Sequence, residues 1–349
     1  RKLMAASAAP APVLLAALAR PPESAETPLI ARRVRAFGTK AHFARIAIVH
    51  ADAGADDDLL VTAERHALHV SRLVDGDRDA PGVVALSCRI GPCDVLAVDS
   101  THVLATMDNE VQVIDVASGT WRCAYAGHRA ATLTMVLARP PWAATIDMNG
   151  EAHVWHRDTG ERASSWTGSS HLRAAAGGGS LLVCSNEAEL QVHSVPDGAR
   201  MAAVMTPTRV RGFVELRDGR WATPHQDGLV RLWSWRPTPA SIVAVGSLRV
   251  WHDYLTTLVE LPGGVLAAGC KGDAGAVRLW DVASARCIGG FQLAGEASRC
   301  RTASAMAVSR EGELVVGQEN GVVSVYAFGW AVRRWAVFGW VAVRAGLWE

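Results

Sequence analysis

One short segment recurs along this chain, and its spacing limits what the chain can fold into. LHVSRLVDG (68–76), VQVIDVASG (111–119), AHVWHRDTG (152–160), LQVHSVPDG (190–198), VRLWSWRPT (230–238), VRLWDVASA (277–285) and VSVYAFG (323–329) align on one position. Ser71, Ile114, Trp155, His193, Trp233, Trp280 and Tyr326 fill it, at intervals of 43, 41, 38, 40, 47 and 46 residues. A unit that repeats at such a period and cannot bury its own apolar face has to stack on its neighbours.

Each unit reads as strands. In the third, residues 132–137 are β-branched and apolar, Pro140-Pro141 ends the run, and 142–146 form a second one. Asn149-Gly150 then predicts a two-residue hairpin of type I′, with positive φ at both positions. Asp227-Gly228 and Asn320-Gly321 hold the same place in other units. After the third strand, Asp-Thr-Gly, Ala-Ser-Gly or Pro-Asp-Gly turns the chain into a fourth, such as 120–125 or 286–291. Four strands per unit of ~40–45 residues predict an all-β fold, a seven-bladed β-propeller of four-stranded antiparallel blades with N- and C-terminal extensions.

Gly127-His128, Thr145, Asp147 and Trp155 follow the order Gly-His…Ser/Thr-x-Asp…Trp, and Val-Arg-Leu-Trp-Asp stands at 277–281. In these residues the chain resembles the WD-repeat β-propellers. The resemblance covers about residues 32–329, although only the third unit retains all four residues. It implies a hydrogen-bonded relay inside the blades, made by His128, Thr145, Asp147 and Trp155, with Trp233, Trp280 and Asp281 in the same structural role. A buried imidazole and indole N–H need partners, so such a relay has a physical purpose. The resemblance also implies that an N-terminal strand completes the last blade, and residues 32–37 (Arg-Arg-Val-Arg-Ala-Phe) are expected to be that strand. The competing strand is the tail 330–349, with Trp330, Trp335, Trp340 and Trp348. Residues 1–31 are expected to be an extension, part disordered or a short helix.

Bulk properties narrow the function. A formal net charge of +1 argues against a dedicated polyanion binder. The seven cysteines are scattered, without C-x-x-C, which fits free thiols in a reducing compartment, cytoplasm or nucleus. Residues 3–19 are apolar but broken by Pro10 and Pro12, and are not read as a secretory leader. No run reaches the ~20 apolar residues of a spanning helix.

The residues suited to chemistry have plainer readings. His153 and His156, three apart on a strand, point to opposite faces and cannot share a metal ion, and His156 is expected to be exposed. Asp52, Asp56, Asp57 and Asp58 lack the ligand order of a calcium loop and read as a solvated hairpin loop. Gly177-Gly178-Gly179 lacks a following Gly-Lys-Ser/Thr and reads as a flexible turn. No metal and no cofactor are expected. Arg209, Arg211, Arg217, Arg220 and Arg231 crowd one unit as a candidate patch for an acidic partner.

The leading functional expectation is a non-catalytic scaffold for protein or peptide partners, including a role as one subunit of an assembly, with Arg217, His225, Arg231 and Trp251 as candidate contacts. No nucleic-acid partner is expected. One alternative is a substrate adaptor of a ubiquitin ligase, because residues 11–19 and 32–37 resemble an F-box. Another is a hydrolase using the central channel, with Asp94, His171 and Arg209 at the starts of innermost strands.

Overall fold

A computed structural model describes residues 30–38, 45–50, 58–64, 67–72, 84–87, 94–169, 171–186, 188–250, 255–270, 276–293, 302–318 and 322–329. The expectations placed on residues 1–29, on Asp52 to Asp57, on Trp251, on Asn320-Gly321 and on the Trp-rich tail fall outside these. The described residues are strands and turns with no α-helix, so no helix among them is long and apolar enough to cross a membrane.

The strands pair into seven four-stranded antiparallel sheets. The first holds β2 (Arg45–Val49), β3 (Leu59–Glu64), β4 (Ala67–Arg72) and β5 (Val84–Ser87). The next holds β6 (Val95–Ala97), β7 (His102–Met107), β8 (Glu110–Asp115) and β9 (Trp121–Tyr125). Then come β10 (Thr132–Leu137), β11 (Trp142–Asp147), β12 (Ala152–His156) and β13 (Arg162–Trp166). They are followed by β14 (His171–Ala176), β15 (Leu181–Ser185), β16 (Glu189–Ser194) and β17 (Arg200–Met205). The fifth sheet is β18 (Val214–Glu215), β19 (Trp221–Pro224), β20 (Leu229–Pro237) and β21 (Ala240–Arg249). The sixth is β22 (Leu255–Leu261), β23 (Val265–Cys270), β24 (Ala276–Asp281) and β25 (Arg286–Gln292). The last holds β26 (Ala303–Val308), β27 (Leu314–Gln318), β28 (Val322–Gly329) and, outermost, β1 (Ile30–Gly38).

The third strand of every sheet is one of the recurring segments. First strands of successive sheets lie side by side: β2 neighbours both β6 and β26, and β10 neighbours both β6 and β14. The arrangement is a β-propeller, with the first strands innermost. β1 pairs antiparallel with β28 from Ile30 opposite Gly329 to Gly38 opposite Val322, so the N-terminal strand joins the ends of the ring. Residues 32–37, half of the F-box resemblance, therefore belong to a strand.

The core lies between sheets. Val61 and Leu68 pack on Val103 and Ile114; Ile146 and Val154 pack on Leu182 and Cys184. The ring is completed where Val315 and Val323 meet Ile48 and Leu60. Because both faces of a sheet are covered, inner strands run apolar without alternation, as in β23, where every residue is buried.

The hairpin turns differ from the type I′ expectation. At 147–151 only Gly150 has positive φ (76°), Gly150 N–H donates to Asp147 O (3.0 Å) and Asp147 N–H to Glu151 O (3.1 Å). His225 to Leu229 repeats this, with Gly228 at φ 76°. A type I turn closed by a left-handed glycine bulge leaves Asn149 and Asp227 in ordinary conformations, so the Asn-Gly pair marks the hairpin but not its turn type.

Carboxylates tie neighbouring sheets together. Glu215 accepts from Gly177 N (3.0 Å), Glu260 from Arg217 N (2.7 Å) and Asp58 from Arg310 N (2.8 Å). Each binds the first turn of the preceding sheet. Asp58 is thus a buried link across the ring closure rather than part of a solvated loop. The Gly177–Gly179 turn is likewise fixed on two sides, since Gly179 O also accepts from Arg139 N (2.9 Å) in the sheet before it.

Candidate functional site

In the third sheet of the ring, His128 shares a hydrogen bond with Thr145 through Nε2 (2.7 Å), and its Nδ1 lies 3.6 Å from Asp147 Oδ2. Asp147 is fully buried and accepts through Oδ1 from Asn149 N (2.9 Å) and Glu151 N (3.0 Å). Trp155 is fully buried too, but its Nε1 has no hydrogen-bond partner among the described residues. The indole is held by stacking on Tyr125, 5.1 Å between centroids and nearly parallel. The expected four-residue relay therefore stops at Thr145.

Two residues that the sequence pattern passed over complete this core. His153 faces Thr145 in the strand register and stacks on His128, with centroids 4.0 Å apart and planes 4° apart. Tyr125 Oη hydrogen-bonds His153 Nδ1 (2.6 Å), and His153 Nε2 lies 3.0 Å from Glu151 Oε1. Burial and the adjacent His153 push the His128 imidazole down to about 4, and burial pushes Tyr125 up to about 12. His128 is neutral at pH 7, so its contact with Asp147 is not an ion pair. His156, expected to be exposed, is half-covered: it packs on the Trp142 ring, and its Nδ1 accepts from Asp158 N (3.2 Å).

An unbroken relay occurs two sheets on. Trp233 Nε1 donates to Thr223 Oγ1 (2.7 Å), Thr223 Oγ1 bonds His225 Nε2 (2.9 Å), and His225 Nδ1 donates to Thr208 O (3.0 Å). One neutral tautomer satisfies every link. The register places Trp233 and Thr223 where Trp155 and Thr145 stand, and His225 where Asp147 stands. Burial first, and then the Arg231 charge, push His225 down to about 4. His225 is fully buried, so as a partner contact it is corrected: it is part of the framework. The spacing of ten residues, Thr145 to Trp155 and Thr223 to Trp233, was the signal available in the sequence.

The remaining relay candidates diverge. Trp280 faces Leu266 in the register, and the position of Thr145 is taken by Ala268, so its Nε1 finds no partner among the described residues. Asp281 stands outside any relay. It caps the turn after β24, accepting from Ala283 N (3.0 Å) and Ser284 Oγ (2.8 Å), as Asp115 caps the turn after β8. His193, in the tryptophan position, lies flat on Trp166 at 4.4 Å and donates to Gly198 O (3.0 Å); burial lowers its pKa.

The arginines of the β18–β21 sheet do not form one patch. Arg217 and Arg220 flank the β18–β19 turn, at the end of the ring that holds the Gly177–Gly179 turn; Arg220 pairs with Asp218 (2.6 Å) and Arg217 is exposed. Arg209, Arg211 and Arg231 stand at the opposite end, beside the β19–β20 turn. Arg231 is paired there with Asp227 (2.6 Å). Arg209 reaches across to the neighbouring sheet and donates to His171 Nε2 (3.3 Å). Asp94, the third candidate of the channel, accepts from Val95 N (3.1 Å) and Met135 N (3.2 Å) in the sheets beside it. Among the described residues no cluster of three or more His, Cys, Asp or Glu is arranged to hold a metal ion. Cys184 and Cys270 are buried and Cys287 is half-buried.

No protein-family model matches this chain, and no curated protein matches it.

Proposed function

We propose that the chain is a WD-repeat-type propeller acting as a non-catalytic interaction scaffold for protein or peptide partners, in a reducing compartment and without a cofactor. The observation that carries this reading is the β20–β21 hairpin. Its strands are 9 and 10 residues long, against 5 to 7 in β8–β9, β12–β13, β16–β17 and β24–β25. The extra length carries residues 236–239 past the rim as an exposed tip, and Trp235 anchors it by stacking on Trp221 at 5.8 Å. A rigid projecting tip loses little entropy when it is bound. The buried His, Thr, Asp and Trp groups support the same reading, because they are spent on holding sheets together.

The test is reconstitution. A protein captured from cells that produce the chain is purified and mixed with it, and with a variant in which residues 236–241 are replaced by Asn-Gly. A complex of fixed stoichiometry, lost in the shortened but folded variant, is expected. Equal binding by both variants, or no complex at all, contradicts the reading.

A further inference from the structure

The loop from β17 to β18 brings Arg209 beside the axis of the ring. The relay fixes its backbone twice: Thr208 O accepts from His225 Nδ1 (3.0 Å), and Arg209 O accepts from Gln226 N (3.1 Å). The guanidinium is half-buried and donates to His171 Nε2 (3.3 Å), an acceptor only when that imidazole is neutral. Arg200, Arg220 and Arg231 each have a carboxylate; Arg209 pairs with none among the described residues. A guanidinium offers five N–H donors in a planar fork suited to a carboxylate, and here the fork is preorganised by the loop and the imidazole. At the same end of the ring, two sheets away, Met148 on the β11–β12 turn is 67% exposed.

We propose that Arg209 and His171 form a seat for a carboxylate side chain of an acidic peptide segment, with Met148 taking an apolar neighbour of that segment. A free small acid would use only the Arg209 guanidinium and its imidazole neighbour, whereas a peptide spans both features. The inference rests on the interaction-scaffold reading, but it names a site at the end of the ring opposite the hairpin tip.

The experiment uses the whole chain and fluorescence anisotropy of a labelled peptide of four Glu-Leu repeats, with four Gln-Leu repeats as the comparison. The Glu peptide is expected to bind, more weakly as salt is raised, and Arg209→Gln to weaken it about tenfold, the loss expected when a charge-assisted hydrogen bond is removed. Arg217→Gln, at the other end, is expected to leave binding within about twofold, as for an exposed distant charge. Unchanged circular dichroism establishes that each variant is folded. Should Arg209→Gln unfold, Arg209→Lys keeps the charge without the fork and is expected to bind more weakly than the parent. The proposal is overturned if Arg209→Gln or that substitute binds like the parent, if Arg217→Gln loses as much, or if acetate or inorganic phosphate displaces the peptide at equal charge concentration. The hairpin-shortened variant separates the two readings. If it loses the reconstituted partner yet binds the Glu peptide, both stand; if the partner is never bound but the peptide is, only the scaffold reading falls.

Discussion

Trp233 donates its indole N–H to the Thr223 hydroxyl at 2.7 Å, a bond that starts a chain through His225 to the Thr208 carbonyl. Trp280, in the same register one sheet later, has Ala268 where that hydroxyl would be. Equivalent tryptophans thus serve two roles: one links a sheet to the loop above it, and the other only fills space.

Thr223→Val tests the linked role. It strands the Trp233 N–H and the His225 nitrogen in a fully buried setting, and a loss of about 1–3 kcal/mol of stability is expected. Urea denaturation checks this, with an unchanged slope showing that compactness is kept. Trp155→Ala, which removes a fully buried indole that is packed but not hydrogen-bonded, is expected to cost about 3–5 kcal/mol through the cavity it leaves.

The glycine turn at 177–179 gives a comparison within one loop. Gly178 and Gly179 both have positive φ, 64° and 79°. A Cβ on Gly178 meets nothing within 4 Å, whereas one on Gly179 overlaps the Ala138–Arg139 backbone. Gly178→Ala should therefore cost about 1 kcal/mol, the left-handed penalty alone. Gly179→Ala should cost clearly more and lower the thermal midpoint further. Equal effects would show that the turn is not held against its neighbour.

Acid should destabilise the molecule. Folding lowers the pKa of His128 and His225 from 6.5 to about 4, so the unfolded chain binds more protons between those values. Stability is full above about pH 6.5 and falls by a few kcal/mol as pH drops toward 4. Tyr125, raised to about 12, adds a loss on the alkaline side as pH rises past 10. Urea midpoints measured across the pH range check both limbs. A midpoint that is flat between pH 7 and 4.5 would be inconsistent with buried neutral imidazoles.

Much of the architecture could be read from period and strand signals, because each unit must repeat the same turn and the same buried third strand. The site was harder to read. His225 was expected among the contacts of the turns between second and third strands, yet its neutral imidazole is fully buried and bonds the Thr223 hydroxyl. His153 reads in the sequence only as half of a rejected metal pair, and the register opposite Thr145 is what shows it inside the sheet. The arginines looked like a cluster because they are close in sequence; the two-strand reversal at β18–β19 sends them to opposite ends.

A chain beginning at residue 39 lacks β1 and leaves the outer edge of β28 unpaired, its other edge still held by β27. Such an open edge recruits other strands. Self-association by size-exclusion chromatography and a lower thermal midpoint are expected; a stable monomer would mean that another segment covers β28.

Closure of the ring is tested most directly by a cross-link. Ala36 and Ser324 are paired across β1 and β28. In a variant whose native cysteines are replaced, Ala36→Cys with Ser324→Cys is predicted to form a disulfide within one monomer on mild oxidation, seen as a mobility shift on non-reducing electrophoresis and raising the thermal midpoint. Thiols that stay reduced, or that link only between molecules, would contradict a ring closed by its N-terminal strand.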